Sequence, residues 1–447
     1  MNTIVAHHPL RQYYTPESPP CLVERALERL AYVALWAFVF CIPWAEDLPV
    51  MAGYGIGRWI GLVAFGIGLM RVAVSRRCRR PSAVHYEMGA FVLLSSLSIF
   101  WSVDADATST RTGTYLQLLA AVWLVWELAV VEARVVGLLQ SYVLGTYVSA
   151  TIVLFNFLAG RTAADVFYEQ TGRQRWHDSR FTITGINEND LGLMLALSLP
   201  MTLYLLTRRK GPVTLLYWVQ IPLCLTALLL TGSRGSAMAA MVACTMYPLT
   251  LSRLPPAQRL LSILASSAAV IASVLIVPKD TWIRLLSFGR EVSEGTLTHR
   301  TLIWEAGLQA FRDHAFLGVG AGAYGASVLK AIDIPYVAHN TYLSVLVELG
   351  AVGGLVLVGL LASVVWCAVQ MRGLERRLWI TLLATWGMGV SALTWEYRKP
   401  TWLLFGLLVA HAYARRPERP RLNRLPSFHT IPRATLRRRE LPPVEIS

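Results

Sequence analysis

The chain has 447 residues, of which 55% are hydrophobic and only 15% are charged. Soluble domains carry roughly 25% charged residues, so this composition excludes an ordinary soluble protein and indicates an integral membrane protein. The net charge of +14 is spread between apolar segments rather than gathered on one basic face, which argues against a nucleic-acid partner. The six cysteines form no CxxC pair, so we expect neither a disulfide framework nor a zinc site.

Twelve apolar segments approach the length of about 20 residues that a membrane-spanning helix needs. They are 30–49, 54–74, 85–101, 112–131, 136–158, 189–207, 212–231, 235–252, 259–277, 341–371, 378–394 and 400–414. The N-terminal segment 1–29 begins with polar, proline-containing sequence and no cleavable signal, so the first apolar segment is expected to stay in the membrane. We predict an all-α polytopic membrane protein with about twelve transmembrane helices over 30–414.

Basic residues gather in every second gap between these segments, and short basic gaps mark the cytoplasmic side. They are Arg71, Arg76, Arg77, Arg79, Arg80, Arg208, Arg209, Lys210, Arg253, Arg259, Arg372, Arg376 and Arg377. The alternate short gaps carry acids such as Glu46, Asp47 and Asp104. Both termini are therefore predicted to be cytoplasmic, and the basic, proline-rich tail 415–447 is predicted to be disordered there.

Two long loops, 159–188 and 278–340, are then predicted to face outward, the second between helices nine and ten. Both carry arginines, although topology does not require positive charge in long loops. Within the second loop, apolar residues recur at helical spacing over 298–314 and predict an amphipathic helix in the interface. That helix either seals the bundle or covers the entry to a site.

The sequence Thr231-Gly-Ser-Arg-Gly-Ser236 predicts a tight outward turn with Arg234 at the membrane surface. The guanidinium of an arginine offers several donors that suit a phosphate, and a helix that begins here would add favourable potential for an anion. The alternative interpretation is an arginine that only marks the interface.

Polar residues also precede the sixth segment. Asn189 or Asp190 is a candidate N-cap for that helix. Capping does not account for Arg180 or Asn187, which remain candidates to bind sugar hydroxyls or phosphate oxygens.

His339 lies at the outward end of the tenth segment, beside Asn340 and after Tyr336. A neutral imidazole accepts a proton from a hydroxyl nucleophile near neutral pH. The alternative is an interfacial histidine bonded to a backbone group. Upstream, Gly318-x-Gly320-x-Gly322 superficially resembles a phosphate loop, but no strand precedes it and no Gly-Lys-Ser/Thr follows, so a tight turn is favoured.

Together these motifs resemble the bacterial O-antigen ligase and O-antigen polymerase superfamily of polytopic membrane glycosyltransferases. The matching pieces are Arg180 through Gly192, Thr231 through Ser236, His299-Arg300 with Trp304 and Phe311, Gly318-x-Gly320-x-Gly322-x-Tyr324, and Ala338-His339-Asn340-x-Tyr342 with Glu348-x-Gly350. The resemblance covers about 180–350. Ala315 departs from it, because the family often has proline before the glycine turn.

The resemblance implies an O-antigen ligase at the periplasmic face of a Gram-negative inner membrane. Its donor would be O-antigen linked to undecaprenyl diphosphate, and its acceptor a sugar hydroxyl of lipid A–core, among membrane lipids. His339 would act as the general base, and Arg234 and Arg300 would hold the diphosphate. The substrate-binding candidates are Arg180, Asn187, Asn189, Arg290, His299, Tyr336 and Asn340. No cofactor is expected, and transfer is expected to be metal-independent and inverting.

Two other functions stay open at this point. An O-antigen polymerase or a protein O-oligosaccharyltransferase of the same superfamily would share these motifs. A transporter of lipid-linked sugars is less favoured, because transporters carry ionisable groups near the bilayer midplane, whereas these arginines lie at helix ends. The oligomeric state does not follow from the sequence.

Overall fold

The structure is a computed structural model that describes residues 22–45, 49–51, 54–173, 179–208, 211, 213–253, 255–287, 300–415 and 422–424. Its helices are α1 (Leu22–Cys41), α2 (Ile56–Ser75), α3 (Ala83–Leu97), α4 (Ala105–Leu128), α5 (Glu132–Leu158), α6 (Ala163–Thr171), α7 (Glu188–Arg208), α8 (Val213–Leu230), α9 (Arg234–Cys244), α10 (Met246–Leu251), α11 (Pro256–Ile276), α12 (Lys279–Leu286), α13 (Arg300–Asp313), α14 (Tyr324–Ile332), α15 (Thr341–Val369), α16 (Gly373–Val390) and α17 (Lys399–Ala414). Two short antiparallel strand pairs join β1 (Pro49–Met51) to β2 (Tyr54–Gly55) and β3 (Arg77–Arg79) to β4 (Leu422–Arg424).

Each segment predicted from hydropathy overlaps at least one helix. Six described helices are long and apolar enough to cross a membrane, namely α2, α3 with its 3₁₀ extension, α5, α7, α8 and α15. The bent pair formed by α11 and α12 makes a seventh if it counts as one span. The protein is therefore a polytopic helical membrane protein, and the number of twelve crossings remains a prediction.

Proline explains two of the differences from the predicted segments. The first segment was expected over 30–49, but α1 ends earlier, two residues before Pro43. The eighth was expected as one helix over 235–252, but it is divided into α9 and α10. Pro248 has no N–H to donate to the carbonyl of Cys244, so the helical hydrogen bonds are interrupted there.

Helix α7 is the centre of the bundle. Its apolar window is 94% buried, and it packs against α5, α8, α9 and α16. Gly192 allows α9 to approach closely, since a Cβ at this position would lie 2.6 Å from Ser236 Oγ. Farther along, buried Gln220 donates to Ser198 Oγ at 2.9 Å and accepts from Thr202 Oγ1 at 2.7 Å. Pairing of this kind stabilises polar groups between apolar helices.

Residues 300–340, here called the outer arm, surround a small core of their own. Its buried members, with one residue from α15, are Ile303, Val319, Ala323, Tyr324, Val328, Ala338 and Val347. The Tyr324 hydroxyl donates to the carbonyl of Ile303 at 2.9 Å, and Trp304 Nε1 donates to the carbonyl of Ala338 at 2.8 Å. Helix α13 occupies the place of the predicted amphipathic helix, and the Trp304 bond ties its first turn to the end of the arm.

Candidate active site

A cavity of about 240 Å³ lies at the end of the bundle where α7, α9, α13 and α15 begin. Six residues proposed from the sequence line it: Arg180, Asn189, Arg234, Arg300, Tyr336 and His339. They come from the first long loop and the start of α7, from the turn between α8 and α9, and from the outer arm. Parts of the chain that are far apart in sequence therefore meet around one space.

Gly232 shapes the turn between α8 and α9. Its φ of +59° lies in the left-handed region that favours glycine. A Cβ at this position would lie 2.9 Å from Arg180 Cγ and 3.5 Å from Arg284 Cδ. Arg284 Nε also donates to the Gly232 carbonyl at 3.2 Å. The absence of a side chain at Gly232 thus allows two arginines to lie across the turn and line the cavity.

Arg180 is buried in this wall and is held through its backbone and its side chain. Its carbonyl accepts from the amide of Ala163 at 2.8 Å, and the next amide, of Phe181, donates to Leu230 at 3.0 Å. The guanidinium lies 3.7 Å from a Glu188 carboxylate oxygen. A carboxylate at this distance stabilises a charged arginine that is largely removed from water.

Arg234 is the first residue of α9, so it projects from a helix N-terminus. Ser233 caps this helix by accepting from the amide of Ser236 at 3.4 Å. The Ser236 hydroxyl then donates to the carbonyl of Asn189 at 3.0 Å, which links the starts of α7 and α9. The partial positive charge of the α9 terminus adds to that of the arginines around the cavity.

The outer arm supplies Arg300 and His339 from its two ends. The bond from Trp304 to the Ala338 carbonyl brings these ends together, since Trp304 follows Arg300 by one helical turn and Ala338 precedes His339. His339 has a φ of +47°, a left-handed conformation that few non-glycine residues adopt. Such a conformation persists only where the surrounding contacts enforce it.

The surroundings of His339 favour its neutral form. Burial, followed by the positive charge of Arg300, lowers the pKa of His339 from its ordinary value of 6.5 to about 4. Both effects disfavour the imidazolium. The imidazole is therefore neutral throughout the physiological pH range and is able to accept a proton.

The turn between α16 and α17 forms another part of the cavity wall, to which it contributes Leu393. Thr341 Oγ1 donates to the Leu393 carbonyl at 2.8 Å and accepts from the amide of Trp395 at 2.7 Å. Asp190 accepts from Trp395 Nε1 at 2.8 Å and from Arg398 at 2.9 Å. This turn is thereby fixed to the starts of both α7 and α15.

Two candidates act as helix caps instead of lining the cavity. Asn187 is exposed, and its side-chain oxygen accepts from the amide of Asn189 at 2.9 Å. The prediction that Asn189 or Asp190 caps this helix was therefore wrong. The Asn340 side chain accepts from the amide of Leu343 at 3.0 Å and caps α15. Short side-chain acceptors are common at this position because the first helical amides have no partner within the helix.

The candidates Arg290 and His299 lie outside the described residues. Arg284 lines the cavity, although the sequence did not single it out as a site residue. It lies on α12, and its Nε donates to the carbonyl of Gly232, 52 residues earlier in the chain. No local pattern predicts such a contact.

Across the described ranges, no three His, Cys, Asp or Glu side chains are grouped as a metal site would require. The charged groups that line the cavity are arginines. Guanidinium groups and a helix N-terminus suit an anionic ligand with several oxygen acceptors, and a neutral imidazole suits proton transfer beside it.

Two comparisons with known proteins bear on this site. The model of a family described as O-antigen ligase matches residues 221–358, a range that contains Arg234, Arg284, Arg300, Tyr336 and His339. The chain is also 25% identical over 356 residues to the exopolysaccharide production protein ExoQ of Rhizobium meliloti (strain 1021), which covers 74% of this chain and 73% of that protein. The resemblance to the O-antigen ligase superfamily is thereby confirmed.

Proposed function

Because residues 221–358 match the O-antigen ligase family, we propose that this protein is a membrane glycosyltransferase of the O-antigen ligase type. It transfers an O-antigen glycan from undecaprenyl diphosphate to a sugar hydroxyl of lipid A–core. The observation that carries the proposal is the cavity in which Arg180, Arg234, Arg300 and His339 meet. It combines cations for a diphosphate with a base for a hydroxyl.

In the proposed reaction, the acceptor hydroxyl attacks the anomeric carbon of the donor sugar. A carbon–oxygen bond forms to the acceptor, while the bond from the anomeric carbon to the diphosphate oxygen breaks. His339 takes the proton of the hydroxyl, and the diphosphate leaves on its lipid. Arg234 and Arg300, with Arg180 beside them, stabilise the charge that develops on the leaving group. A single displacement of this kind inverts the anomeric configuration.

The proposed site faces the periplasm from a Gram-negative inner membrane. Support comes from the positions of the basic gap residues. Arg208 lies at the end of α7 opposite to Asn189, which lines the cavity. Arg372, Arg376 and Arg377 likewise precede or begin α16, whose other end leads to Leu393 in the cavity wall. Positive charge on the short cytoplasmic gaps would then place the cavity on the opposite side.

Purified protein in liposomes with lipid-linked donor and lipid A–core acceptor tests the chemistry. We expect His339→Ala to lower turnover by about 100-fold or more, the usual range for loss of a general base, while donor binding persists. His314→Ala is the matched control, because His314 is an exposed histidine of the same arm. Arg300→Gln should also lower turnover, because Arg300 is proposed to stabilise the leaving diphosphate, and Arg312→Gln, at an exposed arginine of the same arm, is its control. Unchanged transfer by the His339 variant would remove this residue as the base.

The same assay tests metal independence. In the proposed reaction the arginines supply the positive charge that a divalent cation would otherwise supply, so we expect EDTA to leave the rate unchanged. A rate that falls with EDTA and returns with magnesium contradicts this proposal.

A second candidate is a polymerase of the same superfamily, and the similarity to a protein named for exopolysaccharide production favours it. Loss of the gene separates the two functions. Without a ligase, the core carries no O-antigen and lipid-linked polymer accumulates. Without a polymerase, the core carries a single repeat unit, and that result would overturn the proposed ligase.

A further inference from the structure

The two glycine motifs to which the proposed chemistry assigns no role contact each other in the structure. Helix α15 has a non-helical residue, Gly350, with a φ of +65°. The amide of Ala351 donates to the carbonyl of Ala315 at 2.8 Å, and the carbonyl of Val347 accepts from the amide of Val319 at 3.0 Å. In an uninterrupted helix, Ala351 and Val347 would bond to each other.

The next amide and carbonyl along α15, those of Val352 and Glu348, also bond outside the helix instead of to each other. The amide of Val352 donates to Phe316 at 3.3 Å, and the carbonyl of Glu348 accepts from the amide of Gly320 at 2.8 Å. The break in α15 thus exchanges helical bonds for bonds to residues 315–322, here called the glycine loop. The loop is part of the outer arm, so these bonds connect the arm to the transmembrane bundle.

Glu348 strengthens this connection through its side chain. Its Oε2 accepts from the amide of Gly322 at 2.7 Å, and its Oε1 accepts from the Ser344 hydroxyl at 3.4 Å. The loop amide that would face phosphate in a nucleotide site faces a carboxylate of the same chain. This contact favours the interpretation of the glycine motif as a tight turn rather than a phosphate loop.

The carboxylate of Glu348 lies among charged and aromatic groups from other elements. Arg111 Nη1, from α4, is 3.9 Å from Glu348 and 3.1 Å from Glu396. The Arg111 guanidinium also lies over the ring of Tyr397, 3.6 Å from its centre. Glu396 and Tyr397 belong to the turn between α16 and α17, which contributes Leu393 to the cavity. Glu348 therefore lies where α4, α15, the glycine loop and that turn meet.

We propose that Glu348 is a positioning residue for glycan transfer, which acts by fixing the glycine loop against the break in α15. The loop connects α13 to α14, so its position determines where the outer arm holds Arg300 and His339. Arg180, Arg234 and Arg284 lie on elements outside the arm, namely the first long loop, α9 and α12. Loss of the Glu348 carboxylate would displace one side of the site relative to the other.

The test compares Glu348→Gln with Glu375→Gln in the full-length protein in liposomes. Glu375 is the matched control, because it is a buried carboxylate that pairs with the arginines Arg208 and Arg415, but at the start of α16, away from the glycine loop. We expect Glu348→Gln to speed hydrogen exchange of the amides in peptide 315–323, because an amide oxygen accepts from Gly322 more weakly than a carboxylate does. Turnover should fall by about 10-fold or more, with donor KM changed by less than about 3-fold, as expected for lost transition-state geometry. Glu375→Gln should change none of these.

Unchanged exchange in 315–323 for Glu348→Gln overturns the proposal, and so does faster exchange with turnover within about twofold of the unmodified protein. Should that variant fail to accumulate, Arg111→Lys, which keeps the charge but alters the contact to Glu348, decides by the same two readouts. The activity readout rests on the proposed function, whereas the exchange readout does not. Absence of transfer in the unmodified protein would therefore refute the proposed function alone, and hydrogen exchange in 315–323 would then decide whether Glu348 fixes the loop.

Discussion

His339 combines a chemical requirement with a conformational one. Arg300 and burial keep its imidazole neutral, since they lower its pKa to about 4. Its left-handed backbone directs the chain into α15 immediately after the Trp304–Ala338 bond. A substitution at this position changes both properties, so tests of its role have to separate them.

The pH dependence of transfer provides one test at this residue. The protonated form is inactive as a base, so we expect the acid limb of kcat/KM to report the depressed pKa of His339, well below 6.5. Arg300→Gln removes a positive charge that disfavours the imidazolium. The pKa of His339 should then rise, and the acid limb should move to higher pH. Arg300→Lys keeps the charge and should keep the limb, and an unmoved limb in Arg300→Gln contradicts the coupling.

A pair of variants separates the backbone of His339 from its imidazole. Asparagine tolerates a positive φ better than other non-glycine residues, whereas alanine bears the usual cost of about 1–2 kcal/mol. We expect His339→Asn to retain more thermal stability than His339→Ala. Both should lose transfer to the same extent, because neither has a base. Substantial activity in the asparagine variant would show that this position matters for its conformation alone.

At the scale of single elements, the turn between α8 and α9 depends on Gly232. We expect Gly232→Ala to displace Arg180 and Arg284 and to lower kcat/KM by about 10-fold or more, since complete loss of a charge-stabilising donor costs about 100-fold or more. Gly160→Ala is the control, because Gly160 has a similar φ of +68°, but a Cβ added there would meet no atom of the described residues within 4 Å. Both variants place alanine at a positive φ, and thermal unfolding measures how much this backbone strain destabilises each of them. Equal kcat/KM values for the two variants would contradict the role of the close approach.

Hydropathy predicted the long helices of this chain, because burial in lipid requires long apolar segments. The short helices α6, α12 and α14 lie within the two predicted loops and were not predicted from it. Hydropathy placed the starts of the long helices less well. The fourth segment was predicted to begin at 112, but α4 begins at Ala105, where Asp104 caps it by accepting from the amide of Ala107 at 2.9 Å. The first turns of α4 are polar, so an apolar window excludes them.

The site was predictable to the extent that topology determines it. Arg180, Arg234 and His339 each adjoin the same end of an apolar segment, so the alternation of segments alone brings them to one side. Contacts between distant elements were not predictable. Arg284, on α12, bonds to the Gly232 carbonyl, and Arg111, on α4, lies beside Glu348 of α15. Neither contact has a signal in the local sequence.

At the scale of the whole molecule, the two ends of the bundle differ in their chemistry. One end holds the cavity. At the other, Glu132 pairs with Arg208 at 3.0 Å and with Arg415 at 3.1 Å, and Glu375 pairs with the same two arginines. These acids join the ends of α5, α7, α16 and α17. The cations at that end join the helices by pairing with acids of the chain. The arginines around the cavity, of which Arg180 pairs with Glu188, line a space suited to an anion.

This asymmetry leads to a prediction about orientation. Arg173 follows α6 on the side of the cavity, and Gly211 lies between α7 and α8 at the opposite end, and both are exposed. In a chain whose native cysteines are replaced, we expect Arg173→Cys to react in intact spheroplasts with a maleimide that does not cross membranes. Gly211→Cys should react only after lysis, because positive gaps are retained in the cytoplasm. The reverse pattern would place the cavity in the cytoplasm, where no periplasmic glycan donor could reach it, and the proposed ligation would then be excluded.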